Sequence, residues 1–393
     1  MPSDRIMRPI LSALMVVVPA LSSGCVSTHA AARPAPAVSV VQVPDGGIQP
    51  QAVADAAGAI HLVYFKGVPA AGDLYYVRLM PQGGSSKPIC VNSVAGSAIA
   101  TGSVRGAQVA LGPNGRVHVA WNGSKPTEAP GGPRIPMWYA RLKAGGSAFE
   151  QQRALTTWTQ GLDGGGAIAA DRSGRVVVAW HAMGATPGEA QRTVYLAKSS
   201  DDGRTFSREE RATSAPVGSC GCCGMRALID RAGGLQILYR AATDTINRDA
   251  TWLTVGGGEP ARPPVRVHAW RLEACPMTTF ALAEGTGGIL AAWETQQQIY
   301  SATLDPVSGR VSGLAAVPGA GTRKHPSIAI NEAGDRLLAW TEGTAWNRGG
   351  TVAWRLTDSA GAELAAAAGA APVPVWGLVA ALAMRDGSFV ILR

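Results

Sequence analysis

The sequence predicts an all-β fold in which short strands are joined by tight turns. Of the 393 residues, 49 are glycine and 26 are proline, and only 16% are charged. Long surface helices need more charged residues, whereas short strands separated by glycine turns fit this composition. The hydrophobic fraction of 46% excludes a wholly disordered chain, because enough apolar surface is available to offset the entropy lost on folding.

A pattern of turn glycine and strand aromatic recurs along the chain and supports this expectation. In six copies a tyrosine or tryptophan follows the glycine by six positions, and a seventh copy at Gly387 stops at Arg393. A second aromatic-containing segment follows each of the first six copies, so each unit predicts four strands. The six pairs are Gly58/Tyr64, Gly115/Trp121, Gly174/Trp180, Gly233/Tyr239, Gly287/Trp293 and Gly334/Trp340.

Four-stranded units repeated at intervals of roughly 50–60 residues are typical of a β-propeller, in which radial closure protects the sheet edges. We predict one propeller domain over residues 39–393, with seven blades of four-stranded antiparallel sheets. Six blades are the alternative. The seventh unit has only two strands at the C-terminus, so we expect residues 37–43 to add a strand and to close the ring with both chain ends.

The first 24 residues have the order of a secretory signal peptide. Basic residues lie near the start, an apolar stretch follows at residues 10–21, and small residues come next. The apolar stretch is too short to span a bilayer permanently. We therefore expect the protein to be exported.

Cys25 directly follows this signal and resembles the lipidated cysteine of bacterial lipoproteins, although Ser22 stands where leucine is usual. We expect acylated Cys25 to anchor the protein in a lipid bilayer of the bacterial cell envelope, facing the periplasm or the cell surface. Plain secretion is the alternative. Residues 25–38 are rich in alanine and proline and are expected to form a tether.

The net charge of +8 is spread along the chain, and no basic run exceeds the pair Arg323-Lys324. Aromatic residues do not alternate with basic ones as they do in proteins that bind single-stranded nucleic acid. We therefore expect no nucleic acid partner, and we expect a monomer.

One turn carries a motif in the spacing Ser-x-Asp-x-Gly-x-x-Phe, formed by Ser199, Asp201, Gly203 and Phe206. This turn resembles the Asp-box, in which the aspartate accepts hydrogen bonds from turn amides. Over roughly residues 45–393 the chain resembles the sialidase-like, Asp-box (BNR-repeat) propeller superfamily. The resemblance implies a ligand site on the face opposite the Asp-box, with a carbohydrate or another small molecule as the ligand.

Two sets of loops in a propeller meet on one face around the axis, where ligand sites cluster. These loops join the fourth strand of one unit to the first of the next, and the second strand to the third. Alignment of the units on their turn glycines places polar residues on this axial face, with Arg240 as the strongest candidate for a ligand contact. The full set of expected ligand contacts is Arg105, His181, Arg240, Arg323, His325 and Trp376.

Sulfur residues are concentrated at the start of the fourth and fifth units. They are Cys220, Cys222, Cys223, Met225, Cys275 and Met277. Alignment predicts that Cys275 lies beside the Cys-x-Cys-Cys loop, and the first interpretation is a disulfide between blades. The alternatives are a redox-active pair and a soft-metal site, in which His181 or His325 would join the sulfurs around Cu(I) or Zn(II).

A sialidase-type glycoside hydrolase is the alternative to a binding protein. That chemistry needs an arginine cluster, an acid/base carboxylate and a Tyr–Glu pair. The three arginines of the axial set would form the cluster, with Asp163 as the acid and Glu294 or Glu342 as the glutamate. Every tyrosine falls on or beside a repeat position where packing explains it, so we predict ligand binding in preference to catalysis.

Overall fold

The structure, a computed structural model, describes residue 1 and residues 34–183, 188–214, 217–256 and 262–393. Residues Pro36–Arg393 form one compact unit. The expected signal peptide, Cys25 and most of the expected tether lie outside the described residues. Within the described ranges, no helix is long and apolar enough to cross a membrane.

Strand β1 (Val38–Val41) belongs to the last sheet, and the six sheets that follow it each contain four antiparallel strands in chain order. Blades 1 and 2 contain β2 (Ile48–Ala54), β3 (Ile60–Val68), β4 (Ala71–Leu79), β5 (Ile89–Cys90), β6 (Gln108–Leu111), β7 (Val117–Asn122), β8 (Met137–Arg141) and β9 (Arg153–Ala154). Blades 3 and 4 contain β10 (Ala167–Ala170), β11 (Val176–Met183), β12 (Arg192–Ser199), β13 (Glu210–Arg211), β14 (Arg226–Ile229), β15 (Leu235–Arg240), β16 (Ala250–Val255) and β17 (Val265–His268).

Blades 5 and 6 contain β18 (Phe280–Gly285), β19 (Gly288–Thr295), β20 (Gln298–Asp305), β21 (Arg310–Ala316), β22 (Arg323–Ile330), β23 (Arg336–Glu342), β24 (Gly350–Thr357) and β25 (Glu363–Ala367). A further short strand, β26 (Pro372–Val373), pairs with β24. Blade 7 contains β27 (Ala380–Ala383) and β28 (Phe389–Leu392). Single turns of 3₁₀ helix lie at Pro44–Gly46, Pro113–Gly115 and Glu189–Gln191.

The two ends of the described chain meet in blade 7. β27 and β28 are antiparallel, and β1 pairs with β28 in parallel, with Val38 opposite Phe389 and Val41 opposite Leu392. A parallel pair needs a long connection between its strands, and the other six blades supply it. The predicted closing strand is therefore confirmed, although this blade has three strands instead of four and its added pair is parallel.

The first strand of each sheet faces the propeller axis. β2, β6, β10, β14, β18, β22 and β27 contact one another in this order, and β27 returns to β2. These inner strands are rich in alanine, because the sheets converge toward the axis and leave room only for small side chains. The closed ring confirms the seven-bladed propeller and excludes the six-bladed alternative.

The aromatic residues of the repeat are buried between neighbouring sheets. Trp180 of blade 3 packs with Met137 and Tyr139 of blade 2, and Trp293 of blade 5 packs with Leu238 of blade 4. Each pair of blades therefore shares an apolar core. This explains the low charge of the chain, because sheets covered on both faces offer little surface to charged side chains.

The turn between β12 and β13 is closed by the hydrogen bonds expected from its sequence. Oδ1 of Asp201 accepts the Thr205 amide at 2.9 Å, and Oγ of Ser199 accepts the Gly203 amide at 2.9 Å. Hydrogen bonds from Thr205 and Ser199 hold the pKa of Asp201 well below its ordinary value. Phe206 packs edge-on against Tyr139, with ring centroids 4.7 Å apart.

Removal of the closing strand is expected to destabilise the whole ring. A chain that begins at Gln42 should melt about 5 °C or more below one that begins at Pro34, because β28 loses its partner and the apolar contacts of Val38 and Val40. Thermal unfolding followed by circular dichroism measures the difference. Equal melting temperatures would show that β1 contributes nothing to closure.

Candidate functional site

A cavity of about 290 Å³ lies on the axis between β2, β6, β14, β18, β22 and β27. Arg226 of blade 4 reaches across it, and its Nη1 donates to Oε1 of Gln51 at 2.9 Å and to Oε1 of Gln108. Burial lowers the pKa of Arg226, and no carboxylate of the described residues contributes to that shift. The cavity therefore contains a guanidinium charge that is hydrogen-bonded but not neutralised.

A second cavity of about 180 Å³, which we call the axial mouth, shares Ser103 and His325 with the first. Trp346 and Trp376 form an aromatic corner in it, with ring centroids 6.3 Å apart and planes at 73°. Trp346 is 50% exposed. The buried Nε1 of Trp376 has no acceptor among the described residues. The mouth thus offers an accessible aromatic face and an unused hydrogen-bond donor.

Five blades place a non-glycine residue with a left-handed backbone at the rim of these cavities. A positive φ at a bulky residue is costly and is found most often at functional sites. In blades 1 and 6 the residue lies at a shift of strand register, which re-aims side chains as a β-bulge does. The five residues are Gln49 (φ 55°), Ser103 (63°), Met277 (49°), His325 (55°) and Trp376 (58°).

The structure places two of the predicted ligand contacts, His325 and Trp376, in the axial mouth. Nδ1 of His325 lies 3.3 Å from Oγ1 of Thr279, and burial lowers the pKa of His325 to about 3. The imidazole is therefore neutral near pH 7. Both residues stay candidates for direct contact with a ligand.

The other predicted arginines and carboxylates form local pairs. Arg105 donates to the Asp163 carboxylate at 2.5 Å and to its backbone carbonyl at 2.7 Å. Arg323 donates from Nε to Glu342 at 3.0 Å, and from Nη1 to the carbonyls of Val317 and Pro318 at 3.0 and 2.9 Å. Each guanidinium is thus engaged by acceptors of the protein, in contrast to the open arginine cluster expected from the sequence.

Arg240, the strongest candidate from the sequence, is only 1% exposed. Its guanidinium donates to the carbonyls of Arg248 (2.8 Å) and Glu294 and to Oγ1 of Thr278 (3.1 Å). It also lies over the rings of Trp270 and Phe280, 5.0 and 5.2 Å from their centroids. Arg240 therefore joins blades 4 and 5, because all these acceptors already surround it, and its direct contact with a ligand stays a prediction from the sequence.

The third predicted carboxylate, Glu294, is buried beside a cation. Its Oε2 lies 3.7 Å from Nζ of Lys324. Burial raises the pKa of Glu294 to about 7, against the opposing charges of Lys324 and Arg240. None of Asp163, Glu294 and Glu342 is among the residues that line the two cavities, and no tyrosine of the described chain lines them either.

Cys220, Cys222 and Cys223, which we call the thiol cluster, bring their sulfurs within 4.8 Å of one another. Cys220 and Cys222 Sγ are 3.5 Å apart, too far for a disulfide of about 2.05 Å. Oγ1 of Thr278 donates to Cys223 Sγ at 3.5 Å. Burial opposes ionisation of Cys223, yet hydrogen bonds from the other two thiols and the charge of Arg240 hold its pKa well below the ordinary value.

Cys275 does not join the thiol cluster, and no disulfide links the cysteines of the described ranges. Met277 packs against the thiol cluster instead, and Cys275 is exposed at the axial mouth. Only Pro276 separates them in the sequence, and Met277 has a left-handed backbone (φ 49°). The expected bridge between blades 4 and 5 is therefore absent, and the alignment of Cys275 with the Cys-x-Cys-Cys loop was wrong.

Two further predicted residues lie behind the cavities or within their walls. His181 is buried, with Nε2 3.1 Å from the Cys223 carbonyl oxygen, and Nδ1 has no partner among the described residues. Burial lowers the pKa of His181 to about 4. Met225 packs in the core shared by blades 3 and 4 and lines the axial cavity. His181 does not belong to the group of ligand atoms that the three thiols form, and Met225 packs in a different apolar cluster from the thiols.

Sequence reasoning missed Arg226, Gln51 and Gln108. The available signal was a charged residue at the start of an inner strand that is otherwise built from small and apolar residues. The three residues were missed because the alignment on turn glycines locates the loops and the strand ends, whereas these side chains lie on the inner strands. Alignment of the inner strands on each other would have placed these three side chains on the axis.

No family model and no curated protein matches the chain in sequence. Two solved structures are similar to it in fold. A Hadza microbial sialidase is 14% identical, with 81% of this chain and 70% of that chain covered and a TM-score of 0.51. The α-L-arabinanase of Penicillium chrysogenum, solved with arabinobiose, is 12% identical, with 81% and 95% covered and a TM-score of 0.52.

At this level of identity the likeness concerns the fold alone. The protein is a β-propeller of the general kind found in that sialidase and that arabinanase. Its particular features are an axial cavity with an uncompensated arginine, an aromatic mouth and a buried thiol cluster.

Proposed function

We propose that the protein binds an acidic carbohydrate on its axial face. The observation that carries the proposal is Arg226, a guanidinium in the axial cavity that no described carboxylate neutralises. Arg226 is half-buried. A charge partly withdrawn from water is stabilised when an anion pairs with it, and a carboxylate can accept two parallel hydrogen bonds from a guanidinium. An acidic sugar combines this anion with a ring of suitable size.

The axial mouth supplies the second part of the proposed recognition. Sugar rings pack their C–H faces on tryptophan, and Trp346 and Trp376 present two faces at a wide angle. The buried Nε1 of Trp376 has no acceptor among the described residues, and a sugar hydroxyl that reaches it after a small rotation of the ring would supply one. Lys324 and Arg348 also line the mouth and make it attractive to anions. The two similar structures are named as a sialidase and an arabinanase, and these names agree with a carbohydrate ligand.

Calorimetric titration with N-acetylneuraminic acid and galacturonic acid tests this proposal, with N-acetylglucosamine and galactose as neutral comparators. We expect at least one acidic sugar to bind and the neutral sugars to bind at least tenfold more weakly. Arg226→Gln should weaken acidic-sugar binding by about 10–100-fold, because a hydrogen bond to a charged group contributes about 1.5–3 kcal/mol. Trp376→Ala should weaken it as well.

Arg266→Gln is the matched control, because Arg266 lies on the outer strand of the same blade and its side chain is 69% exposed. It should leave binding unchanged. Equal affinity for acidic and neutral sugars, or unchanged affinity in Arg226→Gln, would contradict the proposal.

The sialidase-type hydrolase stays a prediction from the sequence. A fluorogenic sialoside tests it directly, and turnover by the purified protein would replace simple binding as the function. We extend the proposal to an envelope-anchored lipoprotein on the sequence of residues 1–25 alone. Mass spectrometry of the N-terminal peptide from bacterial membranes tests that extension.

A further inference from the structure

The thiol cluster is a candidate site that the binding of a sugar does not explain. Its three cysteines are buried, and they converge from a four-residue loop that enters β14. The loop is held by its surroundings: the Cys220 amide donates to the Arg240 carbonyl at 2.9 Å, and the Gly221 amide donates to Glu189 at 3.0 Å. These two hydrogen bonds fix the loop in the conformation that brings the three sulfurs together.

The spacing of the sulfurs suits a single metal ion. A metal–thiolate bond of about 2.3 Å places three sulfurs about 4 Å apart when they surround an ion in a plane. The sulfurs of Cys220 and Cys222 lie 3.5 Å apart, and all three lie within 4.8 Å of one another. Only small side-chain rotations separate this arrangement from a trigonal site.

The charges around the cluster favour a cation held by thiolates. Arg240 is buried beside it, and its positive charge interacts with Cys220 and Cys223. Arg248, tied to Glu189 at 2.8 Å, adds a second positive charge that acts on Cys220 and Cys222. Three thiolates around a monovalent cation carry a net negative charge. Arg240 offsets part of this charge, whereas Arg248 shares its positive charge with the Glu189 carboxylate.

We propose that the thiol cluster binds one Cu(I) ion through Cys220, Cys222 and Cys223. Soft thiolates select Cu(I), whereas structural Zn(II) takes four ligands in a tetrahedron. The described residues offer no fourth His, Cys or carboxylate ligand in the group. Binding displaces the thiol protons to solvent and leaves the oxidation states of copper and sulfur unchanged.

Met277 links the proposed site to the exterior. It packs against the thiol cluster on one side and lines the axial mouth on the other. Its thioether is a soft ligand, so it provides a route for Cu(I) through an otherwise closed wall. This proposal is independent of sugar binding, because Arg226 and the two tryptophans take no part in it.

Anaerobic titration of the reduced full-length chain with Cu(I), buffered by bicinchoninate, tests the proposal. We expect one Cu(I) per chain. Alkylation followed by peptide mass spectrometry should show that Cu(I) protects the three clustered cysteines, while the exposed Cys90 and Cys275 stay reactive. This readout needs no substitution and therefore does not depend on the folding of a variant.

Cys222→Ser should weaken Cu(I) binding at least tenfold, and Cys90→Ser is the matched control that should leave it unchanged. X-ray absorption of the loaded protein should show sulfur neighbours only. Protection of fewer than the three clustered cysteines, equal binding by Cys222→Ser, or tighter binding of Zn(II) with an added nitrogen or oxygen ligand would overturn the proposal. Normal Cu(I) binding by Arg226→Gln would separate this site from the sugar site.

Discussion

Replacement of Arg240 by alanine is expected to lower the free energy of unfolding by about 4 kcal/mol. The substitution leaves the carbonyls of Arg248 and Glu294 and the hydroxyl of Thr278 without their buried donor. An unsatisfied buried polar group costs about 1–3 kcal/mol. The lost side chain also leaves a cavity between Trp270 and Phe280, so the contact between blades 4 and 5 weakens.

Urea unfolding of the natural protein and of Arg240→Ala measures this difference in the free energy of unfolding. Arg266→Ala is the control, since it removes an arginine from the same blade at a largely exposed position, and it should change stability by less than about 1 kcal/mol. Arg240→Lys keeps the charge but cannot reproduce the planar set of donors, and its stability should fall between those of the other two. A loss below 1 kcal/mol in Arg240→Ala would show that Arg240 is not the structural link between the blades.

The second large effect concerns the dependence of stability on pH. Burial raises the pKa of Glu294 to about 7 in the folded protein, from an ordinary value near 4.5. The folded state therefore holds this proton more tightly than the unfolded state does. The stabilisation is complete below pH 4.5 and is lost as the pH rises through about 7, and it corresponds to about 3 kcal/mol.

Glu294→Gln removes this titration while keeping the shape of the side chain. Its stability relative to the natural protein should therefore rise by about 3 kcal/mol between pH 4.5 and pH 8. Burial lowers the pKa values of His181 and His325, so the folded state resists their protonation. Their contribution to the stability of the folded protein therefore decreases as the pH falls, which is opposite to the effect of Glu294. Their contributions are common to both proteins and cancel in the difference.

Urea midpoints at pH 5, 6, 7 and 8 provide the test. Glu332→Gln, at an exposed position in the turn after β22, controls for the loss of one carboxylate. A stability difference between Glu294→Gln and the natural protein that stays constant over this range would contradict a raised pKa at Glu294.

The architecture could be predicted from the sequence because each of its signals is local. A turn glycine and an aromatic residue six positions later describe one hairpin, and hairpins of this kind recur as Gly174/Trp180 and Gly334/Trp340. The strand at residues 38–41 could be expected because the last unit had too few strands. The hydrogen bonds that close the Asp201 turn could be expected from the sequence, since all the partners lie within six residues of one another.

The candidate sites could be predicted only in part. The axial loops carry His325 and Trp376 as expected, and the Cys-x-Cys-Cys loop does gather three sulfurs. Cys275 was assigned to that loop because the alignment of the blades assumes that side chains at equivalent positions point in the same direction. In the structure Cys275 lies at the axial mouth and Met277, whose backbone is left-handed, packs against the thiols instead.

What the sequence determined by itself was the repeating four-stranded unit and the face on which the loops gather, because strand pairing within a blade depends on neighbours in the chain. The choice of seven blades over six came from the closed ring of the structure. What only the tertiary structure decided was which side chains keep an unused charge or donor. Arg240 is surrounded by acceptors from blades 4 and 5, whereas Arg226 reaches glutamines of blades 1 and 2 and meets no described carboxylate. Partners so distant in sequence come together only when the ring closes, and the pattern of a single blade does not show which side chains then meet.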